Sequence, residues 1–120
     1  MDEARVRARL DELRREAAAR LAALDGQLSD IADARRDANS DDEHDPEGST
    51  LAFDRAQVST LAAGAHRRLD EIDAAIARLD DGTYGRCERC GQPVPEARLA
   101  ARPTARFCVG CQARVDANDR

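Results

Sequence analysis

The chain has 120 residues, of which 36% are charged and 2% are aromatic, and its formal net charge is −5. Three aromatic residues and one methionine supply little bulk for a conventional enzyme core, so the composition argues against an enzyme. No apolar run approaches the roughly 18 residues that span a bilayer, and the charged start has no apolar signal core. We therefore expect a cytoplasmic protein without a membrane segment. All 19 basic residues are arginine and 24 residues are alanine, a bias that favours long helices over a sheet.

Two long segments, about residues 4–38 and 46–81, carry their larger apolar residues at helical intervals. These residues are Val6, Leu10, Leu13, Leu21, Leu24, Leu28 and Ile31 in the first segment and Leu51, Val58, Leu61, Leu69, Ile72, Ile76 and Leu79 in the second. Each apolar stripe is narrow, which is typical of a coiled-coil seam. The polar, acidic turn at 39–48 separates the segments. The fold class predicted is mainly α, with residues 1–81 as a long antiparallel coiled-coil hairpin.

The register of this hairpin follows from arithmetic, because facing residues in an antiparallel pair have a constant sum of positions. Leu10 with Leu79 and Leu24 with Ala65 sum to 89, and so do the flanking pairs Leu13 with Ile76 and Leu28 with Leu61. Two independently identified stripes therefore agree on one register, with the chain reversing near His44 and Asp45.

Proline and glycine mark the predicted ends of the second helix, and one further glycine lies inside each of the two helices. Pro46 suits the first helical position, and Gly82 suits the residue just after the helix. Gly26 and Gly64 lie inside the two helices at nearly the same level. We interpret them as a close approach of the helices or a mild bend, with a functional hinge as the alternative.

The negative charge is concentrated in one stretch. Residues 37–54 carry seven acidic residues and no basic one, which accounts for the whole negative excess: Asp37, Asp41, Asp42, Glu43, Asp45, Glu47 and Asp54. Such a surface should avoid bare nucleic acid, since phosphate contacts need Lys or Arg. Carboxylates at the end of a helix pair could instead approach a bound Mg²⁺ and alter its coordination. Phe53 lies off the seam, and we interpret it as packing across the loop or, alternatively, as an exposed anchor for a partner.

The four cysteines form two pairs, Cys87-x2-Cys90 and Cys108-x2-Cys111, separated by 17 residues. Each pair can form a tight turn, or knuckle, that presents two thiolates, and four thiolates make a closed tetrahedral Zn²⁺ site. Gly91 suits the positive φ that such a turn needs. A rubredoxin-like iron site and two disulfides are the alternatives. Residues 82–120 are predicted to form a four-cysteine zinc-finger module, with one structural Zn²⁺ and a short C-terminal helix, whose small core needs the metal for stability.

Residues 82–112 resemble the DksA/TraR family of bacterial transcription factors. The matching features are Tyr84-Gly85 before the first knuckle, Gly91 after it, Arg98-Leu99, the run from Ala101 to Ala105 and the second knuckle. The resemblance implies a non-enzymatic regulator that binds RNA polymerase rather than DNA. It implies that the coiled coil enters the secondary channel, with its tip near the active centre, and that it alters initiation, often together with ppGpp.

The family's tip pattern is D-x-x-D-x-A, and its second half matches Asp54-Arg55-Ala56, whereas its first aspartate falls at Leu51. The predicted partner-binding tip comprises Asp54, Arg55, Ala56, Asp41, Asp42, Glu43, Asp45 and Phe53. Gly64 and Glu71 stand where the resemblance places basic residues that help hold ppGpp, so we do not expect dependence on ppGpp. The extra terminal helices of larger members are expected to be absent or short.

We thus predict a zinc-binding transcription regulator that acts as a monomer on RNA polymerase. One alternative is a zinc-dependent adaptor that uses the hairpin to bind another protein. A further alternative is a small iron redox protein, which visible absorbance would reveal.

Overall fold

The computed structural model of the chain describes residues 2–39 and 46–119. It contains four helices: α1 (Glu3–Asn39), α2 (Pro46–Asp81), α3 (Glu96–Ala101) and α4 (Val109–Asn118). These two ranges contain no strand, and an isolated antiparallel bridge joins Arg86 to Pro93. The predicted fold class, mainly α with two long helices and a short C-terminal helix, is confirmed. The predicted chain reversal near His44 and Asp45 lies outside the described residues.

Local interactions explain the start of α1 and the end of α2. The carboxylate of Asp2 accepts hydrogen bonds from the backbone N–H groups of Ala4 and Arg5, at 3.0 and 3.3 Å, which satisfies donors that a helix start leaves free. Helix α2 ends at Asp81, and Gly82 follows with φ of 81°. This left-handed conformation is the usual glycine signal that ends a helix, so the predicted end at Gly82 is confirmed.

The chain divides into two compact units, which we call unit 1 (Met1–Arg14 with Asp70–Arg120) and unit 2 (Arg15–Leu69). In unit 1, a buried cluster joins Leu10 of α1 to Ala75 and Leu79 of α2, with Leu13 and Ile76 packed against it. The shared cluster of Leu10 and Leu79 agrees with their predicted pairing, whereas the pairing of Leu13 with Ile76 stays a prediction.

Two ion pairs in unit 1 follow the same antiparallel order. Arg7 pairs with Asp80 at 2.6 Å, and Arg14 pairs with Asp73 at 2.6 Å. Position numbers rise along α1 as those of the facing residues on α2 fall. The side chains are 43–61% exposed, so each pair stabilises the fold by less than about 1 kcal/mol.

Unit 2 has its own cluster, in which Leu24 is buried with Ala62 and Ala65. Its contact between Leu24 and Ala65 confirms that predicted pairing. Leu61, predicted as the flanking partner of Leu28, is 50% exposed, so it does not lie in the buried seam. A constant sum fixes the level of a residue along the helix axis but not its rotation about that axis. The neighbouring Ala62 occupies the buried side of α2 at this level.

Of the two interpretations given to the helix glycines, the close approach of the helices is wrong, and the mild bend stays a prediction. A Cβ atom added at Gly26 would meet nothing within 4 Å, and one at Gly64 would meet only a terminal nitrogen of Arg67, at 3.6 Å. Neither position therefore needs glycine for lack of space. Across its described part, the chain contains no helix that is long and apolar enough to cross a membrane.

Candidate metal centre and tip

The first cysteine pair lies in a tight turn directly before a left-handed glycine. The N–H of Gly91 donates to the carbonyl of Cys87 at 3.0 Å, and Gly91 has φ of 75°. The N–H of Cys87 donates in turn to the carbonyl of Gln92 at 2.8 Å, and that of Val94 to Gly85 at 2.7 Å. The positive φ predicted for Gly91 is confirmed, and it lets the chain fold back after Cys90.

The second cysteine pair lies at the start of a helix. Cys108 precedes the first residue of α4, and Cys111 lies in its first turn. The N–H of Gln112 donates to the carbonyl of Cys108 at 2.8 Å, which closes that turn. The first turn of α4 therefore positions Cys111, whereas Cys108 is the extended residue that precedes the helix.

The structure brings the four predicted cysteines together. Their sulfur atoms all lie within 4.8 Å of one another, and the sulfurs of Cys90 and Cys108 are 3.9 Å apart. A tetrahedral Zn²⁺ with Zn–S bonds of about 2.3 Å needs sulfurs about 3.8 Å apart, whereas a disulfide needs about 2.05 Å. All four cysteines are free thiols. The donor set therefore fits one tetrahedral ion, and the disulfide alternative is wrong.

The protonation equilibria of the thiols are linked. Burial raises the pKa of Cys87, but hydrogen bonds from the backbone of Cys90 and Cys108 outweigh this effect and bring that pKa down to about 6. The side chain of Cys108, together with burial, raises the pKa of Cys111 to about 12. Sulfurs this close repel one another when both are ionised. A cation is therefore needed for all four to be thiolates at neutral pH.

A small apolar core surrounds the cysteines. Cys87 and Cys111 are buried with Val94 and Leu99, and Tyr84 packs against this cluster. Tyr84 also packs against the cluster of Leu10, Ala75 and Leu79 in the same unit. This one side chain thus joins the cysteine core to the packing of α1 on α2.

The phenol of Tyr84 has a second role. Its hydroxyl donates to the carbonyl of Pro103 at 2.7 Å. Burial raises the pKa of Tyr84, an effect that the nearby Arg78 cation partly offsets. The neutral phenol therefore remains available as a hydrogen-bond donor across the physiological range.

Three charged residues that the sequence did not single out also join the parts of unit 1. Arg78, at the end of α2, lies 3.7 Å from the carboxylate of Glu88 and donates to the carbonyl of Thr104 at 3.3 Å. Arg106 pairs with Glu88 at 2.7 Å. Nothing in the spacing of these residues predicts the network, because its members lie on loops and on different elements.

The predicted tip is described only in part. Phe53 is 63% exposed, so its predicted packing across the loop is wrong and the alternative of an exposed side chain holds. Asp54 is half-buried, and Arg55 and Ala56 are exposed. The remaining acidic residues of the predicted tip lie outside the described residues: Asp41, Asp42, Glu43 and Asp45.

Comparisons with known proteins agree with this arrangement. The family described as "Prokaryotic dksA/traR C4-type zinc finger" matches residues 82–117. The structure is similar to that of transcription factor DksA2 from Pseudomonas aeruginosa, with a TM-score of 0.80 and 28% sequence identity over 98% of this chain and 85% of that one. The zinc-finger module at residues 82–117 thus belongs to the DksA/TraR family. The C4-type zinc-finger match and the four clustered cysteines identify the cofactor as one structural zinc ion.

Curated relatives are similar over shorter stretches. General stress protein 16O from Bacillus subtilis is 39% identical over 79 residues, which cover 66% of this chain and 48% of that protein. RNA polymerase-binding transcription factor DksA from Caulobacter vibrioides is 40% identical over 67 residues, which cover 56% and 47%. The chain thus spans about half the length of these relatives.

Proposed function

We propose that this DksA/TraR protein is a transcription regulator that binds RNA polymerase through the secondary channel and places its acidic tip near the active centre. The similarity to DksA2 over 98% of the chain is the observation that carries the proposal, because it extends well beyond the zinc finger. The relatives from Caulobacter are named as RNA polymerase-binding transcription factors. The same partner is therefore assigned to this chain.

The zinc module is assigned a structural role. Cys87, Cys90, Cys108 and Cys111 would hold one Zn²⁺, and four protein ligands leave no position for a substrate. When bound, the ion supplies the stability that so small a core lacks. Tyr84 and Arg78 then connect this module to the end of α2, so that the module fixes one end of the helix pair.

The tip is assigned the functional contact. The stretch 37–54 contains seven acidic residues and no arginine, which suits a role near a catalytic Mg²⁺ better than contact with nucleic-acid phosphates. Asp54 stands at the position of the second aspartate in the family's tip pattern, and Arg55 and Ala56 follow it. Phe53, which is 63% exposed, offers an apolar contact to the polymerase.

The proposed regulator acts in the cytoplasm, as a monomer and without an enzymatic activity of its own. Sequence-specific contact with DNA is not part of the mechanism. Binding of ppGpp is not required, because Gly64 and Glu71 replace the basic residues that the resemblance implies for that ligand.

Co-purification with the host's own RNA polymerase, followed by transcription in vitro, tests the proposal. Wild type should bind and change initiation, and Asp54→Asn should bind equally well but lose the effect on initiation. Asp25→Asn is the matched control, since it removes the same charge from an exposed position of α1 in the same unit.

The outcomes separate the two parts of the proposal. If wild type neither binds polymerase nor changes initiation, the protein is better described as a zinc-dependent adaptor for another partner. If Asp54→Asn acts like wild type, polymerase can still be the partner, but the role assigned to Asp54 is wrong.

A further inference from the structure

The loop before the second knuckle, residues 102–107, is held in place by donors from other parts of unit 1. It contains no helical residue, so its backbone carbonyls need partners from elsewhere. The carbonyl of Arg102 accepts from the N–H of Ala105 within the loop, at 3.0 Å. Four others accept from outside the loop: Pro103 from the Tyr84 hydroxyl, Thr104 from Arg78, Arg106 from the N–H of Glu88 and Phe107 from Arg98, at 2.7–3.3 Å. The path of the chain into Cys108 is thus set by specific contacts.

One pair of residues joins the two knuckles directly. Glu88 lies between the cysteines of the first knuckle, and Arg106 lies two residues before Cys108. The Nε and a terminal nitrogen of Arg106 approach the same Glu88 oxygen, at 2.8 and 2.7 Å. The N–H of Glu88 also donates to the carbonyl of Arg106 at 2.9 Å. Side chain and backbone therefore connect the same two residues.

The surroundings of this pair fix its geometry. The second carboxylate oxygen of Glu88 lies 3.7 Å from Arg78, whose side chain is only 12% exposed. The guanidinium of Arg106 lies over the ring of Phe107, 5.0 Å from its centre. Held on both sides, the Glu88 carboxylate loses less conformational freedom when it pairs than an isolated surface carboxylate would.

Such a connection bears on metal affinity because the knuckles are far apart in the sequence. Bringing the ends of a 17-residue spacer together costs conformational entropy. Contacts that already hold the knuckles together remove part of that cost from the metal-binding step, and groups beyond the ligands commonly alter affinity in this way.

We propose that Glu88 and Arg106 form a positioning pair that holds the two cysteine knuckles together and thereby strengthens zinc binding. The inference rests on the proposed ligation of zinc by the four cysteines. It assigns no ligand role to either residue.

Chelator competition with the full-length protein tests the inference, using Glu88→Gln, Arg106→Gln and the double variant. Each single variant should weaken zinc affinity about tenfold, and the double variant should be no weaker than either, because the residues act as one unit. Arg89→Gln is the control, since it removes one positive charge from an exposed position in the first knuckle. It should change the affinity by less than about twofold.

Cobalt substitution supplies a readout that general loss of structure would alter. In wild type and in both single variants, Co²⁺ should give the same tetrathiolate absorption spectrum, which shows that the ligands and their geometry are intact. The weaker affinity would then come from positioning rather than from a damaged site.

Four results would overturn the inference. Additive effects in the double variant would show that Glu88 and Arg106 act separately. Tighter zinc binding by Glu88→Gln would show that removing a negative charge near the zinc thiolates outweighs any positioning. Failure of wild type to take up Co²⁺ would overturn the proposed ligands and the inference with them, whereas normal uptake with unchanged affinity in both variants would overturn the inference alone.

Discussion

Replacing Leu10 by alanine should destabilise unit 1 by about 3 kcal/mol. Leu10 is fully buried, so the substitution removes three carbons from a closed contact, which costs about 2 kcal/mol in lost transfer free energy. Its neighbours in the cluster include Ala75 and Leu79, and packed helices relax only in part around a deletion. The cavity that remains adds about 1 kcal/mol or more.

The matched control is the same substitution at Leu61. Leu61 is 50% exposed, so only about 1 kcal/mol of transfer free energy is at stake. The better helix propensity of alanine offsets a few tenths of that. The two variants therefore share one chemical change but differ in the burial of the replaced side chain.

Urea unfolding of the zinc-loaded proteins, followed by circular dichroism, measures both values. Leu10→Ala should also lower the melting temperature by roughly 10 °C, and Leu61→Ala by much less. A cost at Leu61 equal to that at Leu10 would refute the reasoning, because it would place Leu61 in the seam and the described rotation of α2 would be wrong.

Glycine, tyrosine and cysteine substitutions provide three more tests. Gly26→Ala should raise the free energy of unfolding by up to about 1 kcal/mol, since the added Cβ meets nothing within 4 Å; a lower urea midpoint would contradict this. Tyr84 is the single tyrosine, so tyrosinate absorbance reports it alone, and its pKa should lie above the ordinary value. The neutral Tyr84 phenol should thus contribute to the free energy of unfolding below about pH 10, and this contribution should be lost as the pH rises through the folded-state pKa. An equal loss of stability at alkaline pH in Tyr84→Phe would argue against this. Chelation or Cys108→Ser should abolish hydrogen-exchange protection across residues 82–112 while the helices of unit 2 keep theirs, and unchanged protection of the module would count against a metal-dependent core.

The two long helices and the cysteine cluster could be predicted from the sequence because each rests on a regular pattern. Leucines at helical spacing fix which levels of α1 and α2 face each other, as the contacts of Leu10 and Leu24 confirm. The spacing of the cysteines predicts one four-thiol site without any knowledge of the fold between them.

The spacing of the large apolar residues did not predict which alanines are buried. Ala62, Ala65 and Ala75 are buried on α2, but alanine occurs throughout the chain, so its position carries little signal. Leu61 is larger than its neighbour Ala62 and was therefore the better candidate for the seam, but it lies on the more exposed side of α2. A reading of every position at heptad spacing, small residues included, would have found Ala62.

The contacts around the metal site could not be predicted either. Glu88, Arg106 and Arg78 come together only because two loops and the end of α2 meet in unit 1. Charged residues make up 36% of the chain, so no single pair of them stands out. Tyr84 gave a weak signal, as the one tyrosine in a module poor in apolar residues.

Site-specific photocrosslinking from position 53 tests the central claim most directly. Phe53 is 63% exposed and adjoins Asp54, so a photoreactive residue there should crosslink to RNA polymerase at the lining of the secondary channel, close to the active centre. The same probe at Val109, which is 65% exposed at the start of α4, should not reach that region. Absence of polymerase crosslinks from position 53, or crosslinks confined to the outer surface of the enzyme, would contradict the account.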